Sequence, residues 1–471
     1  MAAFVFIGVV VLDFNSGITN LFKSTSKPNV LNLIQGRSKM NGNSVLVVGG
    51  GVAGLQTAID LASMGINVYL VEREPRLGGQ TALLYQLFPA MENGEGLIKQ
   101  LLQKVLNNTN IRVLSYAEIE SITGSVGNFV VHVSRRTRHV DEAKCTNCGE
   151  CEKVCPVDVP KKFEMGLATR KAIYTAKPFP APPRYLIDEE TCLYFEHKSC
   201  QACQDACPEG AVVYDQKLLR EELSVSAIVL ATGFCQYDAQ KVGQYKHGVY
   251  PNVITGMEYE RLCSLTGPTG GKILRIDNKE RPKSVVFILC VGSRDEKHLH
   301  YCCNIGCLNA LKHAHYLKKQ YKEEVDVYIC YTDIRAVTKQ GEQLYQKVRA
   351  SEVEFIHGQP SEVRMTQNGF LILDVYDLAT SKLLSITADL VVLETGLRPQ
   401  VDLREKLQLI LDEDSFFTEK HPQLTPNETT RDGIFLAGAV QQPMHLHEAL
   451  TSGSAAAMKV LSFIRGSSTS H

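Results

Sequence analysis

The stretch SVLVVGGGVAGLQTAIDLASMGINVYLVERE, residues 44–74, decides the fold. It reads strand, glycine turn, helix, strand. Residues 45–48 form a continuous apolar run, as expected for a strand covered on both faces of a parallel sheet. Gly49, Gly51 and Gly54 form GxGxxG. The first glycine permits a tight turn, the second lets the backbone approach a pyrophosphate, and the third lets the helix pack on the strand. The helix N-terminus then offers free N–H groups and a partial positive charge to an anion. Glu72 closes the second strand 18 residues after Gly54, where a carboxylate accepts the ribose hydroxyls of an adenosine. A lone glycine motif is weak evidence. The complete unit of strand, helix, strand and terminal acid argues against a bare turn. An acid at this place suits a ribose without a 2′-phosphate, so FAD and NAD both satisfy it.

Working outward, LGGQ (77–80) supplies a second glycine turn with Gly79 and Gln80. AIVLATGF (227–234) is a buried strand ending in Thr232 and Gly233. GIFLAGAVQQP (433–443) is another, ending in Gly438 and Ala439, and a helix-like stretch follows at 451–464. These pieces resemble the recurring elements of thioredoxin-reductase-like flavoproteins, which have two dinucleotide-binding domains. The resemblance implies FAD in the first fold. Such proteins usually carry an acid near the ribityl chain where Ala439 stands, so one polar contact is missing from the implied set.

The chain holds 15 cysteines, clustered rather than scattered. Clustering at short spacing in a long chain favours metal binding over disulfides. CTNCGECEKVCP (145–156) is Cys-x2-Cys-x2-Cys-x3-Cys-Pro, the bacterial ferredoxin run for a [4Fe–4S] cluster. A second set, Cys192, Cys200, Cys203 and Cys207, is again followed by proline. Cys192 departs from the ferredoxin pattern, because seven residues rather than two separate it from Cys200. The ferredoxin resemblance implies crossed ligand sets. Cluster one would take Cys145, Cys148, Cys151 and Cys207. Cluster two would take Cys192, Cys200, Cys203 and Cys155. Structural zinc prefers two separated pairs, so the repeated run argues against it. Between the sets, KPFPAPPR (177–184) reads as an extended connection, since its prolines oppose a helix.

Residues 282–333 again read strand, loop, helix, strand. The turn after the strand is Cys290-Val291-Gly292-Ser293-Arg294-Asp295, with one glycine. A nicotinamide dinucleotide would meet side chains where it needs bare backbone, so this fold is expected to have lost that ligand. Cys290, Cys302, Cys303 and Cys307 crowd the same place. They read as a further [4Fe–4S] site, a redox dithiol or plain buried cysteines. The segment CVGSRDEKHLHYCC…C…LKHA, the FAD fold and the inserted ferredoxin unit together resemble the A subunits of the heterodisulfide reductase family. The flavin-carrying A subunit of the quinone-interacting membrane-bound oxidoreductase complex is a close relative. Relatives usually end the third cysteine group in a Cys-Cys pair. Here Gly306 precedes Cys307, and the doublet is Cys302-Cys303. The resemblance implies that Lys312 sits beside the flavin ring and hydrogen-bonds its reactive nitrogen. A solvated helix lysine is the competing reading, and His313, His315, Lys318 and Lys319 read as solvent face.

The expected class is α/β: two Rossmann-like dinucleotide-binding domains with an inserted α+β two-cluster ferredoxin domain. The expected divisions are 1–40, a poorly ordered extension; 41–140, 216–280 and 401–471, the FAD domain in three parts; 141–215, the insert; and 281–400, the second nucleotide fold. Residues 2–12 are apolar but fall short of the roughly 20 a membrane span needs. Fifty basic against 51 acidic residues, net −1, give no basic excess for a nucleic acid. The resemblance implies an FAD and iron–sulfur electron-transfer subunit, cytoplasmic or peripheral at the membrane through its partners. It would be oligomeric, with cysteine-rich and iron–sulfur subunits beside it, and members of the family can carry out flavin-based electron bifurcation. The rivals are the quinone-interacting relative and a stand-alone NAD(P)H-dependent disulfide reductase. The turn at Gly292 separates the last of these: NADPH should leave the flavin of the isolated chain oxidised in a stopped-flow trace, and rapid bleaching would contradict this reading.

Overall fold

The computed structural model describes residues 43–468. The expectation for residues 1–40 lies outside them. The first sheet has seven strands and is parallel at its centre. Ser44–Val48 lies between Asn67–Glu72 and Ala227–Leu230. Ile111–Ser115 extends the sheet on one side and Ile434–Leu436 on the other. Leu46 and Val47 are fully buried, as is Leu55 of the helix Val52–Ser63. Each such side chain contributes about 1.5–3 kcal/mol. The C-terminal helix Leu446–Ser468, longer than the 451–464 expected, packs on the same core through Ala456, Ala457 and Val460.

A three-stranded antiparallel sheet carries the insert. Asn128–Arg135 pairs with Leu219–Val225, and Arg135 stands opposite Leu219. The chain therefore leaves and re-enters the FAD fold at one point, which is why some 80 residues fit between two paired strands without disturbing the sheet. A bridge from Val140 to Val212 continues the closure into the insert. Within it, two small hairpins, 158–160 with 169–171 and 173–175 with 185–187, frame the cysteine loops. The proline-rich connection is not helical, as its prolines require, but it is bent rather than extended, with Phe179 at φ +63°, and it also docks. Leu77 N donates to Phe179 O, and Ala181 N to Pro75 O, tying the insert to the LGGQ turn.

The second sheet has five parallel strands, ordered 253–255, 390–395, 284–291, 326–331 and 353–357. The strand Val253–Thr255 belongs here, although the sequence places 216–280 with the FAD domain. A three-residue strand carries no period to read, and the lone Gly256 after it begins a helix rather than a glycine motif. The helix that follows, Gly256–Cys263, is fixed by a capping box between Thr255 and Glu258.

That helix joins the three parts. Arg261 is 2% exposed and pairs with the equally buried Glu164 of the insert at 2.9 Å. Its second arm donates to Leu83 O of the FAD domain at 2.8 Å. Removing one partner of a buried ion pair strands the other charge and costs about 3–5 kcal/mol. Arg261→Ala should therefore lower the unfolding free energy by that amount in denaturant titration. A loss below about 1 kcal/mol, the size of a surface pair, would mean the junction is not built as described.

Candidate functional site

The glycine turns meet at the carboxyl ends of the parallel strands, where open α/β sheets take ligands. The three glycines of the motif differ in what surrounds them. Gly49 has φ +112°, and a Cβ there would lie 2.3 Å from Ala231 O. A Cβ on Gly54 would lie 1.9 Å from Gly49 O. At Gly51 the nearest atom is Gly79 Cα at 3.9 Å, so that backbone is open. Gly78 N donates to Gly50 O, laying the second turn across the first. Gln80 reaches Phe234 O, Thr232 donates to Gln400 O, and nothing lies within 4 Å of a Cβ on Gly233. Gly438, at φ +74°, packs against Ala53, and Ala439 beside it is buried. Glu72 sits at the turn and accepts Gly50 N at 2.6 Å and Glu74 N at 2.8 Å. Burial raises its pKa despite both bonds. Each carboxylate oxygen keeps a lone pair for a ribose hydroxyl. The bare backbone at Gly51 and the acid beside it fit an adenine dinucleotide.

In the insert, two separate cavities are ringed by thiols. Cys145, Cys148, Cys151 and Cys207 line one. Cys155, Cys192, Cys200 and Cys203 line the other. The grouping is crossed between the two sequence runs, and the long loop after Cys192 still delivers that thiol to the second cavity. Its extra residues form the short helix Leu193–His197. Among the described residues no three His, Cys, Asp or Glu side chains converge closely enough to hold a single metal ion. Thiols spread around a space suit a cube whose irons each take one thiolate.

The third group lies where the second fold meets the FAD domain. A bulge between Ile288 and Val291 interrupts the strand, and Cys290 in it has φ +57°. Bulges re-aim side chains, and Cys290 here is within electrostatic reach of Cys302 and Cys307. Cys303 hydrogen-bonds Cys302. Gly306 N donates to Cys303 Sγ at 3.3 Å, and Asn304 N to Cys302 Sγ at 3.4 Å. The Cys303 hydrogen bond, with Arg335 and Arg294 nearby, pushes the Cys302 thiol down to about 5. Burial pushes Cys307 up to about 11. Asn304 also donates to Glu448 of the C-terminal helix, so the loop is tied to the FAD domain. Beside it, Gly292 is covered: a Cβ there would lie 2.4 Å from the Tyr237 ring, whose hydroxyl bonds His298.

Lys312 is not a solvated lysine. It is 2% exposed, donates to Gln86 O at 2.9 Å and pairs with buried Glu260. His313, expected at the solvent face, is 1% exposed and bridges Glu260 at 2.5 Å and Glu394 at 3.1 Å. The helix Gly306–Tyr321 lies between the second sheet and the FAD domain, so this flank has no solvent side. His315 and Lys318 are half-buried and Lys319 is exposed. Glu260, Arg261, Glu394, Tyr237 and Tyr214 escaped the sequence reading. The capping box Thr255-x-x-Glu258 was a signal for the helix that carries the first two.

Burial alone would raise the Glu260 pKa, but the charges and hydrogen bonds of Lys312 and His313 hold it at about 2. A carboxyl depressed on folding adds stability above its unfolded pKa, about 4.3, and loses it as pH falls toward the folded value. Lys312→Met removes part of that depression. Its acid-unfolding midpoint should move to higher pH than wild type, read by circular dichroism. An unchanged midpoint would show that the pair does not stabilise the fold.

Comparison with known proteins agrees with this geometry. A model of FAD dependent oxidoreductases matches residues 44–148, and models of 4Fe-4S binding domains match 138–161 and 189–210. The chain is therefore an FAD and iron–sulfur protein. Thioredoxin reductases of Lactococcus lactis and T. acidophilum share the fold, each with TM-score 0.50, at 14% and 15% identity. They align over 90% and 91% of this chain and 100% of theirs. The iron-sulfur A subunit of the CoB–CoM heterodisulfide reductase of Methanocaldococcus jannaschii is 42% identical over 425 residues, 88% of this chain and 64% of its own. The A subunit of the Ferredoxin/F(420)H(2)-dependent CoB-CoM heterodisulfide reductase of Methanosarcina acetivorans is 37% identical over 89% of this chain and 53% of its own. The chain thus spans between half and two thirds of these relatives' length. Over that shared length, it is a homologue of the heterodisulfide reductase A subunits.

Proposed function

We propose that the chain is an oxidoreductase subunit that passes electrons between FAD and [4Fe–4S] clusters within a cytoplasmic, heterodisulfide-reductase-like complex. The observation that carries this is the crossed grouping of eight thiols around two cavities, in an insert clamped to the FAD fold at Arg135 and Leu219. FAD exchanges a two-electron donation for one-electron transfers, which clusters accept singly. Gly49, Gly51, Gly54 and the Gly79–Gln80 turn cradle its pyrophosphate, Glu72 takes the ribose, and Thr232, Gly233, Gly438 and Ala439 line the strand ends beside it. The cluster ligands are Cys145, Cys148, Cys151 and Cys207 in one set, and Cys155, Cys192, Cys200 and Cys203 in the other. Cys290, Cys302, Cys303 and Cys307 hold a third cluster at the FAD border. Lys312 pairs with Glu260 and donates to Gln86 O, on the flavin side of the domain border. The disulfide-cleaving chemistry lies in partner subunits. Tyr237, seated on Gly292, keeps a pyridine dinucleotide out of the second fold.

Anaerobically purified protein should hold FAD and about twelve irons per chain, falling to about eight in Cys290→Ser. Unchanged iron in that variant would remove the third cluster. Colourless protein without flavin or inorganic sulfide would remove the whole reading.

A further inference from the structure

The two halves of the insert look alike in their cysteines but differ in what surrounds them. Each cavity has one buried tyrosine in its wall: Tyr185 at 4% exposure in the first, Tyr214 at 9% in the second. Their hydroxyls do opposite things. Tyr214 Oη lies 3.1 Å from Cys203 Sγ. Once that sulfur is a cluster thiolate it carries no proton, so the tyrosine must donate. Tyr185 instead donates to the Glu152 carboxylate at 2.6 Å. Its proton is committed, and a negative charge is held on the helix that carries Cys151.

Other neighbours divide: Val157 O lies 3.9 Å from Cys155 Sγ of the second set and works against its reduction. The amides of Tyr194 and Phe195 face the Cys192 sulfur in the second set. Among the described residues the first set receives the Ala211 amide on Cys207 at 3.3 Å. Glu209 also lines the first cavity, although it is exposed and its charge is screened. The nearby lysines are exposed on both sides: Lys153 pairs with Glu150, and Lys198 lies over the Tyr194 ring at 4.5 Å. They roughly cancel. Cys148 is exposed, which eases reduction of the first cluster at one ligand. The other buried ligands, Cys145 and Cys151 against Cys192 and Cys203, range from 7 to 9% exposure, so their burial does not separate the sites.

The Tyr214 ring is held in place for this contact. It stacks on Tyr194 with centroids 3.7 Å apart and planes 13° from parallel, and Phe195 meets it edge-on. Phe195 in turn packs on buried His139, which is bonded to Glu189 at 2.7 Å. The residues that lengthen the Cys192 loop thus build the wall that aims the hydroxyl.

A hydrogen bond to a ligand sulfur withdraws electron density and favours the more negative, reduced cluster, while a nearby carboxylate disfavours it. We infer that Tyr214, donating to Cys203, makes the cluster of Cys155, Cys192, Cys200 and Cys203 the easier of the two to reduce, and so sets the direction of electron flow across the insert. One electron leaves the site of Cys145, Cys148, Cys151 and Cys207, which is oxidised, and arrives at the other, which is reduced. No bond to a ligand breaks and no proton moves. This inference rests on the proposed cluster assignment and adds the order of potentials and the residue that sets it.

The test is an anaerobic redox titration of the full chain, followed by electron paramagnetic resonance, with iron and sulfide counted in each sample. Counting only the two insert-cluster signals, identified as those that Cys290→Ser leaves unchanged, the one that appears first in wild type should move to lower potential in Tyr214→Phe, and the second should stay. In Glu152→Gln the second signal should move to higher potential, and the first should stay. Both variants narrow the gap, at wild-type iron content. If Tyr214→Phe leaves the first signal in place, or moves the second instead, the inference is wrong. If Tyr214→Phe loses four irons, the Glu152→Gln arm decides alone: a shift in the first signal would reverse the proposed order. Wild-type protein that binds no clusters would instead remove the assignment on which this rests.

Discussion

Charge buried on the helix Gly256–Cys263 is the constraint on which the rest of the structure depends. Glu260 and Arg261 are adjacent, 1% and 2% exposed, and reach in different directions. Glu260 accepts Tyr85 N from the FAD domain and pairs with Lys312 and His313 of the second fold. Arg261 takes Glu164 of the insert and Leu83 O of the FAD domain. A charge cannot stay buried without its partner. Because the partners sit on different parts of the chain, those parts must stay together for any of the charges to be satisfied. Apolar packing does not discriminate in this way, since one hydrophobic face accepts another in several registers. The pairs therefore fix how the three units sit against one another, as the proposed electron transfer between separate centres would require.

Around that junction the same logic recurs at smaller scale. The insert is closed by strand pairing at its root and fastened by backbone bonds between 75–77 and 179–181, next to the glycine turn. The third cysteine group is tied across the border by Asn304 to Glu448. The insert and the third cysteine loop are thus each anchored to the FAD fold by polar contacts whose loss would leave polar groups unpaired. The second fold keeps the shape of a nucleotide domain but covers Gly292 of its turn with Tyr237. The cysteines Cys290, Cys302, Cys303 and Cys307 stand at the end of the strand Ser284–Val291, in the loop after it and at the start of the helix that follows.

Much of this was legible in the chain itself. GxGxxG with Glu72, and the two cysteine runs, are local patterns whose chemistry is dictated by spacing. A loop of three residues between thiols, or a glycine that must sit at φ +112°, can be read from neighbouring residues alone. The strand Val253–Thr255 was not legible, because three residues bear no period and its partner, Leu390–Thr395, lies far along the chain. His313 was misread for a related reason. A polar residue on a helix reads as solvent face unless its buried partners are known, and Glu260 and Glu394 stand 53 and 81 residues away.

By itself the sequence determined which ligands the chain can hold, since bare backbone at Gly51 and thiols at ferredoxin spacing are properties of neighbouring residues. The tertiary structure decided what those ligands would experience. Tyr214 and Cys203, like Tyr185 and Glu152, meet only after the insert has closed, and Lys312 finds Glu260 only when two domains pack. Covalent neighbours set identity. Field, burial and hydrogen bonding come from atoms brought together by folding, and no spacing rule encodes them.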